Sequence, residues 1–428
     1  MTDQPLRFCM ITTFYPPYSF GGDGIFVRRL TNGLAQRGHE VDVIHCIDSY
    51  LLLAGREPSG TYSNHPNVTV HGLKSRFGPV SPLVTQQTGY PVLKLRRIRE
   101  ILDTGFDVIH YHNISLVGGP KILEYGAGIK LYTMHECWLI CPTHVLFRYK
   151  KAPCVQRHCL ACQLVYGRPP QWWRYSGLLS RALAHVDAFI APSCFSQAVH
   201  EQRGLDIPIV HLPSFVPPIE ATEPPQGEPT GGALEGPYFL FVGRLEKLKG
   251  LQTLIPVFRR YTGASLLIAG SGGYEAHLRR LGEGLANIRF LGKLSQEELQ
   301  AVYRQAVALI VPSIGFEMFP LVILEAFRQQ TPVIARNLGG MPEILEESGG
   351  GFVYDTEEEL VAAMDRLLVE PKLRGELGWR GHQTYLQKWT TEAHLKRYLG
   401  LIRRLAKSKG LLDLPRQGTR AWKAGRAE

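Results

Sequence analysis

Apolar and polar positions along the chain fall into a repeating two-part pattern. Short apolar runs occur at LRFCMITTF, VDVIHCI, NVTVHGL, FDVIHYH and KLYTMH, and again at DAFIAPS and IPIVHLP. Runs of this length, rich in Val and Ile, read as buried strands. Helical periodicity lies between them. In GIFVRRLTNGLAQRG, Phe26, Leu30 and Leu34 share one helix face, and Gly38 suits the carboxyl-terminal cap. Buried strands alternating with helices predict a parallel sheet covered on both faces.

The pattern breaks over 217–236, PPIEATEPPQGEPTGGALEG, which is polar and rich in Pro and Gly and reads as a linker. It then restarts with strands at GPYFLFVGRL, ASLLIAG, NIRFLG, VALIVPS, TPVIAR and GGFVYD, and with helices over 249–261, 274–284, 295–306, 319–330 and 356–369. The expected fold is α/β, with two doubly wound, Rossmann-like domains facing across a cleft. The first domain spans 1–216, with an insertion at about 137–174, and the second spans 237–385. A terminal helix over 386–407 is placed to pack back on the first domain, and 408–428 reads as a flexible basic tail. Ligands of such sheets sit beyond the carboxyl ends of the strands.

Composition and charge narrow the function classes. No apolar run reaches 18 residues, so no membrane span is expected. The amino terminus reads as a first strand and not as a secretory signal, which makes the cytoplasm the expected compartment. Of the net charge of +10, residues 403–428 carry +6. Such a tail is either solvated or drawn to anionic lipid, at about 1 kcal/mol per charge. Leu93, Leu95, Ile98 and Leu102 alternate with Lys94, Arg96, Arg97 and Arg99, a pattern that fits an ordinary surface helix or one lying on an anionic membrane at the inner face. No aromatic-rich basic motif supports nucleic-acid binding, so nucleic acid is not expected as a partner.

Three loops carry candidate chemistry. FYPPYSFGGDGIF places Gly21 and Gly22 between a strand and a helix, where backbone can approach phosphate. The same residues would also serve as a tight turn. In FVGRLEKLKGL, Arg244 and Lys249 follow a buried strand at a helix entrance, an arrangement that suits a diphosphate. In PSIGFEMFPLVILEAF, Glu317 and Glu325 stand eight residues apart, with Glu325 inside an apolar helix. A carboxylate there needs a partner, either ribose hydroxyls or a salt bridge.

Together these loops resemble glycosyltransferase family 4, a retaining family of GT-B architecture, over nearly the whole chain to about residue 405. The paired-glutamate motif between Val311 and Glu343 is the most specific part. The resemblance implies that Glu325 holds the nucleotide ribose. It places Glu317 and the backbone of Phe319, Pro320 and Leu321 around the donor sugar and phosphates. Arg244 and Lys249 match the diphosphate-binding pair, and Gly22, beside Gly21, matches the glycine loop that closes over the donor. His112 matches the acceptor-side histidine, although a packed strand-end histidine would look the same. The implied reaction transfers sugar from a nucleotide-sugar, with UDP or GDP as the expected carrier, to a glycan, lipid-linked or small-molecule acceptor. The two cations stabilise the leaving diphosphate, so no cofactor is required for catalysis.

One stretch departs from the rest. Cys141, Cys154, Cys159 and Cys162 fall within 22 residues, four of the eight cysteines in the chain. In a cytoplasmic chain this spacing suits structural zinc, with His144 or His158 as substitute ligands. An iron–sulfur cluster or simply packed thiols are the other readings. Trp172 and Trp173 are placed either to stack on an acceptor or to fill the core. Two further functions share the architecture: a sugar-nucleotide epimerase, and a non-catalytic nucleotide-sugar-binding partner in an assembly.

Overall fold

The computed structural model describes residues 4–58, 60–219 and 236–411. Most of the expected linker (217–236) and of the basic tail (408–428) lies outside the described residues. The first domain contains β1 (Arg7–Ile11), α1 (Gly22–Ala35), β2 (Glu40–Cys46), α2 (Ile47–Ala54), β3 (Val68–Leu73), α3 (Val80–Thr88), α4 (Leu95–Leu102), β4 (Val108–Tyr111) and β5 (Ile129–Thr133). It continues with β6 (Phe147–Arg148), β7 (Ala152–Pro153), α5 (Cys159–Val165), α6 (Leu178–Leu183), β8 (Ala188–Ala191), α7 (Cys194–Gln202) and β9 (Ile209–His211). The second contains β10 (Tyr238–Val242), α8 (Leu251–Phe258), β11 (Ser265–Ala269), α9 (Glu275–Leu281), β12 (Ile288–Gly292), α10 (Gln296–Gln305) and β13 (Ala308–Val311). It ends with α11 (Leu321–Arg328), β14 (Val333–Arg336), α12 (Met341–Ser348), β15 (Gly351–Tyr354), α13 (Glu357–Val369), α14 (Pro371–Lys388) and α15 (Thr391–Ser408).

Each domain is built on one parallel sheet. The first runs β3-β2-β1-β4-β5-β8-β9 and the second β12-β11-β10-β13-β14-β15. Strand order reverses between β1 and β4 and between β10 and β13, and such switch points leave a crevice beyond the carboxyl ends of the strands. The central strands are buried on both faces, which is why they read as continuous apolar runs. Helix α1 stops at Ala35 with Gln36 as its cap, and Gly38, at φ 86°, closes the turn that follows.

The last two helices join the halves. Helix α14 lies on the second domain, where Trp389 stacks on Phe327 and the Tyr385 hydroxyl donates to the Val216 carbonyl at 3.1 Å. Thr390 caps the next helix, accepting from the Ala393 amide. Helix α15 then crosses to the first domain, where Leu395, Tyr398 and Ile402 pack among Phe8, Val27, Leu30 and Leu34. The Tyr398 hydroxyl lies 2.9 Å from buried His110 Nδ1. Of the two readings of the 93–102 segment, the structure displays the ordinary surface helix: Ile98, Ile101 and Leu102 of α4 are buried in the first core, and the Lys94 ammonium is buried against Ser81 and Leu116. Only the arginine side of α4 meets solvent, because its apolar side is already used.

Leu395 is fully buried at this crossing. Leu395→Ala is expected to lower unfolding stability by about 2–5 kcal/mol in urea denaturation. The same change at half-exposed Leu386 should cost far less.

Candidate functional site

The second switch point holds the densest set of charged groups in the cleft. Strand β13 ends at Val311, and the loop after it carries Ser313 and Glu317. Lys249 reaches in from the loop after β10, and its ammonium donates to Glu317 Oε1 at 2.7 Å. Ser313 Oγ donates to the same oxygen at 2.8 Å. Burial alone would raise the Glu317 pKa, but the Lys249 charge and the hydrogen bonds from Lys249 and Ser313 outweigh it, and the carboxyl stays below its usual range. Two glycines make this loop arrangement fit. A Cβ on Gly250 would stand 1.8 Å from the Pro312 carbonyl, and one on Gly339 would stand 2.6 Å from that of Glu317. Both also adopt positive φ, 79° and 67°. The Gly340 amide donates to the Glu317 carbonyl at 2.8 Å, fixing the glutamate backbone from the other side.

The first domain closes over this loop. Gly21 is the residue before α1, and a Cβ there would lie 3.4 Å from Arg244 Nε, while one on Gly22 would lie 3.8 Å from Leu321. Arg244 is half exposed and pairs with Glu246 at 2.7 Å. Pro320 caps α11, so Phe319, Pro320 and Leu321 line the entrance to the helix that carries Glu325. The predicted need of Glu325 for a partner is met in this structure by a residue from the other domain: Arg29 of α1 donates to its Oε1 at 2.7 Å, and the Tyr303 hydroxyl to Oε2 at 3.5 Å. The salt-bridge alternative is thus the one this conformation displays. A ribose at Glu325 would compete with Arg29.

On the acceptor side, His112 follows β4 and is 1% exposed. Its Nδ1 lies 3.0 Å from His135 Nε2, and its Nε2 is buried without a partner. Burial first, then His110, His135 and His394, hold its pKa well below the usual value. His112 is therefore a neutral imidazole suited to hydrogen bonding and a weak proton acceptor. Glu136 bonds His144 Nδ1 through Oε2 at 3.1 Å and leaves Oε1 unpartnered. Asp23, at the start of α1, has its pKa raised by burial and then by Glu136, against Gly24, Arg244 and Asn113.

The cysteine-bearing insertion bridges to the second domain. Cys137, Cys141 and Leu146 cluster with Met318, and the Lys247 ammonium donates to the Lys150 carbonyl at 3.1 Å. Cys141, Cys154, Cys159 and Cys162 share this lobe, near enough that Cys141, Cys154 and Cys162 all raise the Cys159 pKa after burial has done so. The lobe is not drawn in to a metal's coordination radius: among the described residues, the donor trio brought within 4.8 Å is Cys194, His211 and Glu343. Cys141 faces Thr143 Oγ1 at 3.3 Å, and Cys162 accepts from the Tyr149 amide at 3.5 Å. Trp173 is buried against Trp138, with Nε1 donating to the Gln86 carbonyl, whereas Trp172 is 66% exposed.

Arg29, Ser313, Asp23 and Glu343 were missed by sequence reasoning. The one signal for Arg29 was a doubled arginine inside an amphipathic helix. For Asp23, Ser313 and Glu343 the chain holds no local signal.

Comparison with known proteins agrees with the two-domain fold. Residues 20–218 match the family model described as Glycosyltransferase Family 4, and residues 228–384 match Glycosyl transferases group 1. The chain is 29% identical over 398 residues to glycogen synthase of Mycobacterium tuberculosis, covering 86% of this chain and 87% of that one. It is 26% identical to a D-inositol 3-phosphate glycosyltransferase of Arthrobacter, over 84% of each. Among solved structures, sucrose-phosphate synthase of Thermosynechococcus elongatus superposes with a TM-score of 0.70 at 20% identity, covering 94% of this chain and all of that one. Anabaena Alr3699/HepE in complex with UDP superposes at 0.63 and 15% identity, over 93% and 100%.

Lys249→Met would leave Glu317 with its hydroxyl partner and the more distant Arg244 charge but no cation bonded to it. The expected cost is about 3 kcal/mol at neutral pH, reduced by the partial exposure of the pair. Because the native pKa of Glu317 is depressed, the stabilisation is present above the ordinary carboxyl range and is lost as pH falls through the folded-state value. The gap between wild type and variant in urea unfolding should therefore narrow in acid.

Proposed function

Since the chain belongs to glycosyltransferase family 4 and is an enzyme of GT-B architecture, we propose that it transfers a sugar, with retention, from a nucleotide-sugar to a hydroxyl-bearing acceptor. The observation that carries this reading is the pair Arg244 and Lys249 beside Glu317, at the mouth of the second sheet and under the Gly21–Gly22 turn. In the proposed reaction the bond between the anomeric carbon and the diphosphate oxygen breaks, and the acceptor oxygen bonds to that carbon on the same face. The acceptor proton passes to the departing phosphate. Arg244 and Lys249 act on the negative charge that develops on the diphosphate, and the cleft holds the acceptor oxygen on the same face of the sugar as the leaving phosphate. Glu325 takes the ribose once Arg29 releases it. His112, being neutral, orients the sugar by hydrogen bonding and is not required as the base. Asp23 and Glu136 offer carboxylate acceptors to acceptor hydroxyls. UDP and GDP are the proposed carriers, a reading supported by the UDP bound in the Anabaena neighbour.

A glycan or lipid-linked acceptor at a membrane surface belongs to the same proposal. Helix α3 packs beside the turn Trp172–Tyr175, as the Trp173–Gln86 bond attests, and the two leave Val80, Leu83, Trp172 and Tyr175 largely exposed. Arg96 and Arg97 are on the solvent side of α4, whose first turn is tied to α3 by the Lys94–Ser81 bond. Apolar side chains bordered by cations suit the interface of an anionic bilayer. The cysteine lobe is proposed to shape the acceptor side of the cleft, with zinc drawing Cys141, Cys154, Cys159 and Cys162 together when bound.

Calorimetric titration with UDP, GDP and ADP should give tight binding of one nucleotide. Glu325→Ala should weaken that binding roughly ten- to a hundredfold through loss of about 1.5–3 kcal/mol. Folded protein that binds none of them, and turns over none of their sugar conjugates, would move the reading to a non-catalytic partner. Epimerisation of a nucleotide-sugar without an acceptor would move it to the epimerase. In a separate measurement, the protein should sediment with phosphatidylglycerol vesicles at low salt, less at high salt, and less still as Trp172→Ala. Failure to sediment at low salt would remove the membrane from the proposal.

A further inference from the structure

None of Cys194, His211 and Glu343 belongs to the donor set, yet they bring one ligand-type atom each to within 4.8 Å of one another. Their meeting follows from the topology. Strands β8 and β9 pair in parallel with Ala191 opposite His211, so the residue that opens α7, Cys194, emerges beside the end of β9. The cysteine Sγ lies 3.7 Å from His211 Nδ1. Glu343 comes from α12 of the other domain. Its two oxygens accept from the Cys194 amide at 3.0 Å and the Phe195 amide at 2.9 Å, so this carboxylate caps α7 across the interface.

The donor chemistry is that of a borderline-soft divalent cation. Thiolate, imidazole and carboxylate are the protein ligands of zinc, with bonds of about 2.3, 2.0–2.1 and 2.0–2.2 Å. A tetrahedral ion with those first two bonds separates sulfur and nitrogen by about 3.6 Å, close to the observed spacing. The neighbouring cations are committed elsewhere: Lys388 is engaged with Glu347, and Arg397 lies on the His211 carbonyl. His211 Nε2 is buried and unpartnered, so the ring is not committed to a protein hydrogen-bond network on that side.

We propose that Cys194, His211 and Glu343 form a zinc-type site that clasps the two domains, leaving a fourth position for water. Two of the ligands belong to one domain and one to the other, so the complete site exists only while the domains are closed. An ion that binds only this arrangement shifts the population towards it by mass action. Zinc is then a brake: it holds the cleft shut and slows any step that requires opening. The proposal does not depend on which donor or acceptor the cleft takes.

Cobalt(II), which reports tetrahedral and thiolate ligation by its visible and near-ultraviolet absorption, tests the site directly in the full-length, reduced protein at neutral pH. The expected result is tetrahedral d–d bands with a sulfur-to-cobalt charge-transfer band, displaced by zinc, retained in the double variant Cys159→Ser/Cys162→Ser, and lost when Cys194→Ser or His211→Ala is added to that double variant. Cys194 is exposed, so its serine variant leaves the core intact, and circular dichroism verifies the fold of each variant. Bands that vanish in the Cys159/Cys162 double variant, or that persist there after Cys194→Ser is added, would overturn the proposal. A wild-type protein that remains folded and shows no bands would overturn it outright.

Discussion

A carboxylate at the closed mouth of a parallel sheet must be given a counter-charge, and Lys249 supplies it to Glu317. Much of the surrounding geometry follows from that pair. The loop carrying Lys249 must press against the strand end at Pro312, which only a glycine at 250 permits, and Gly339 must lie on the Glu317 backbone. The result is a preorganised arrangement in which charge is fixed before a ligand enters, so little reorganisation is left for the reaction itself.

The two domains are tied together at several kinds of contact that differ in strength. The crossing of α15 is apolar and buried, and it is the permanent part of the junction. Arg29–Glu325 and Glu343 on α7 are polar contacts at the faces that would separate when the cleft opens. Burial of apolar area does not exchange readily with water, whereas ionic and capping contacts do, at a net cost of a few kcal/mol or less. The molecule thus has a hinge side held by hydrophobic packing and a ligand side held by replaceable charges. The Arg29–Glu325 bond is the clearest of these replaceable contacts.

The strand runs and the restart of the pattern after residue 236 were legible because parallel strands buried on both faces need continuous apolar sequence. Arg244, Lys249, Glu317 and Glu325 were legible because ionisable residues directly after buried strands, or inside an apolar helix, must be explained. The amphipathic stretch of α4 was legible as a helix, but its role was not. The same periodicity serves a lipid surface and a protein core, and the neighbours that bury Ile98 and Leu102 come from elements distant along the chain. Exposed apolar side chains occur instead on α3 and at Trp172, among other places, and these carry no comparable periodic signal.

The sequence by itself determined two α/β domains, the parallel character of their sheets, the family, and the charged loops after β10 and β13, because each of these is written in spacings of fewer than about ten residues, where local backbone geometry controls which side chains share a face. Tertiary structure alone decided that Arg29 holds Glu325, that Asp23 and Glu136 stand together near His112, and that Glu343 meets Cys194 and His211. Those pairings join residues from separate elements and, for Arg29 and Glu343, from separate domains. Only the closed packing of one sheet's carboxyl edge against the other brings them within reach of hydrogen bonds and charge.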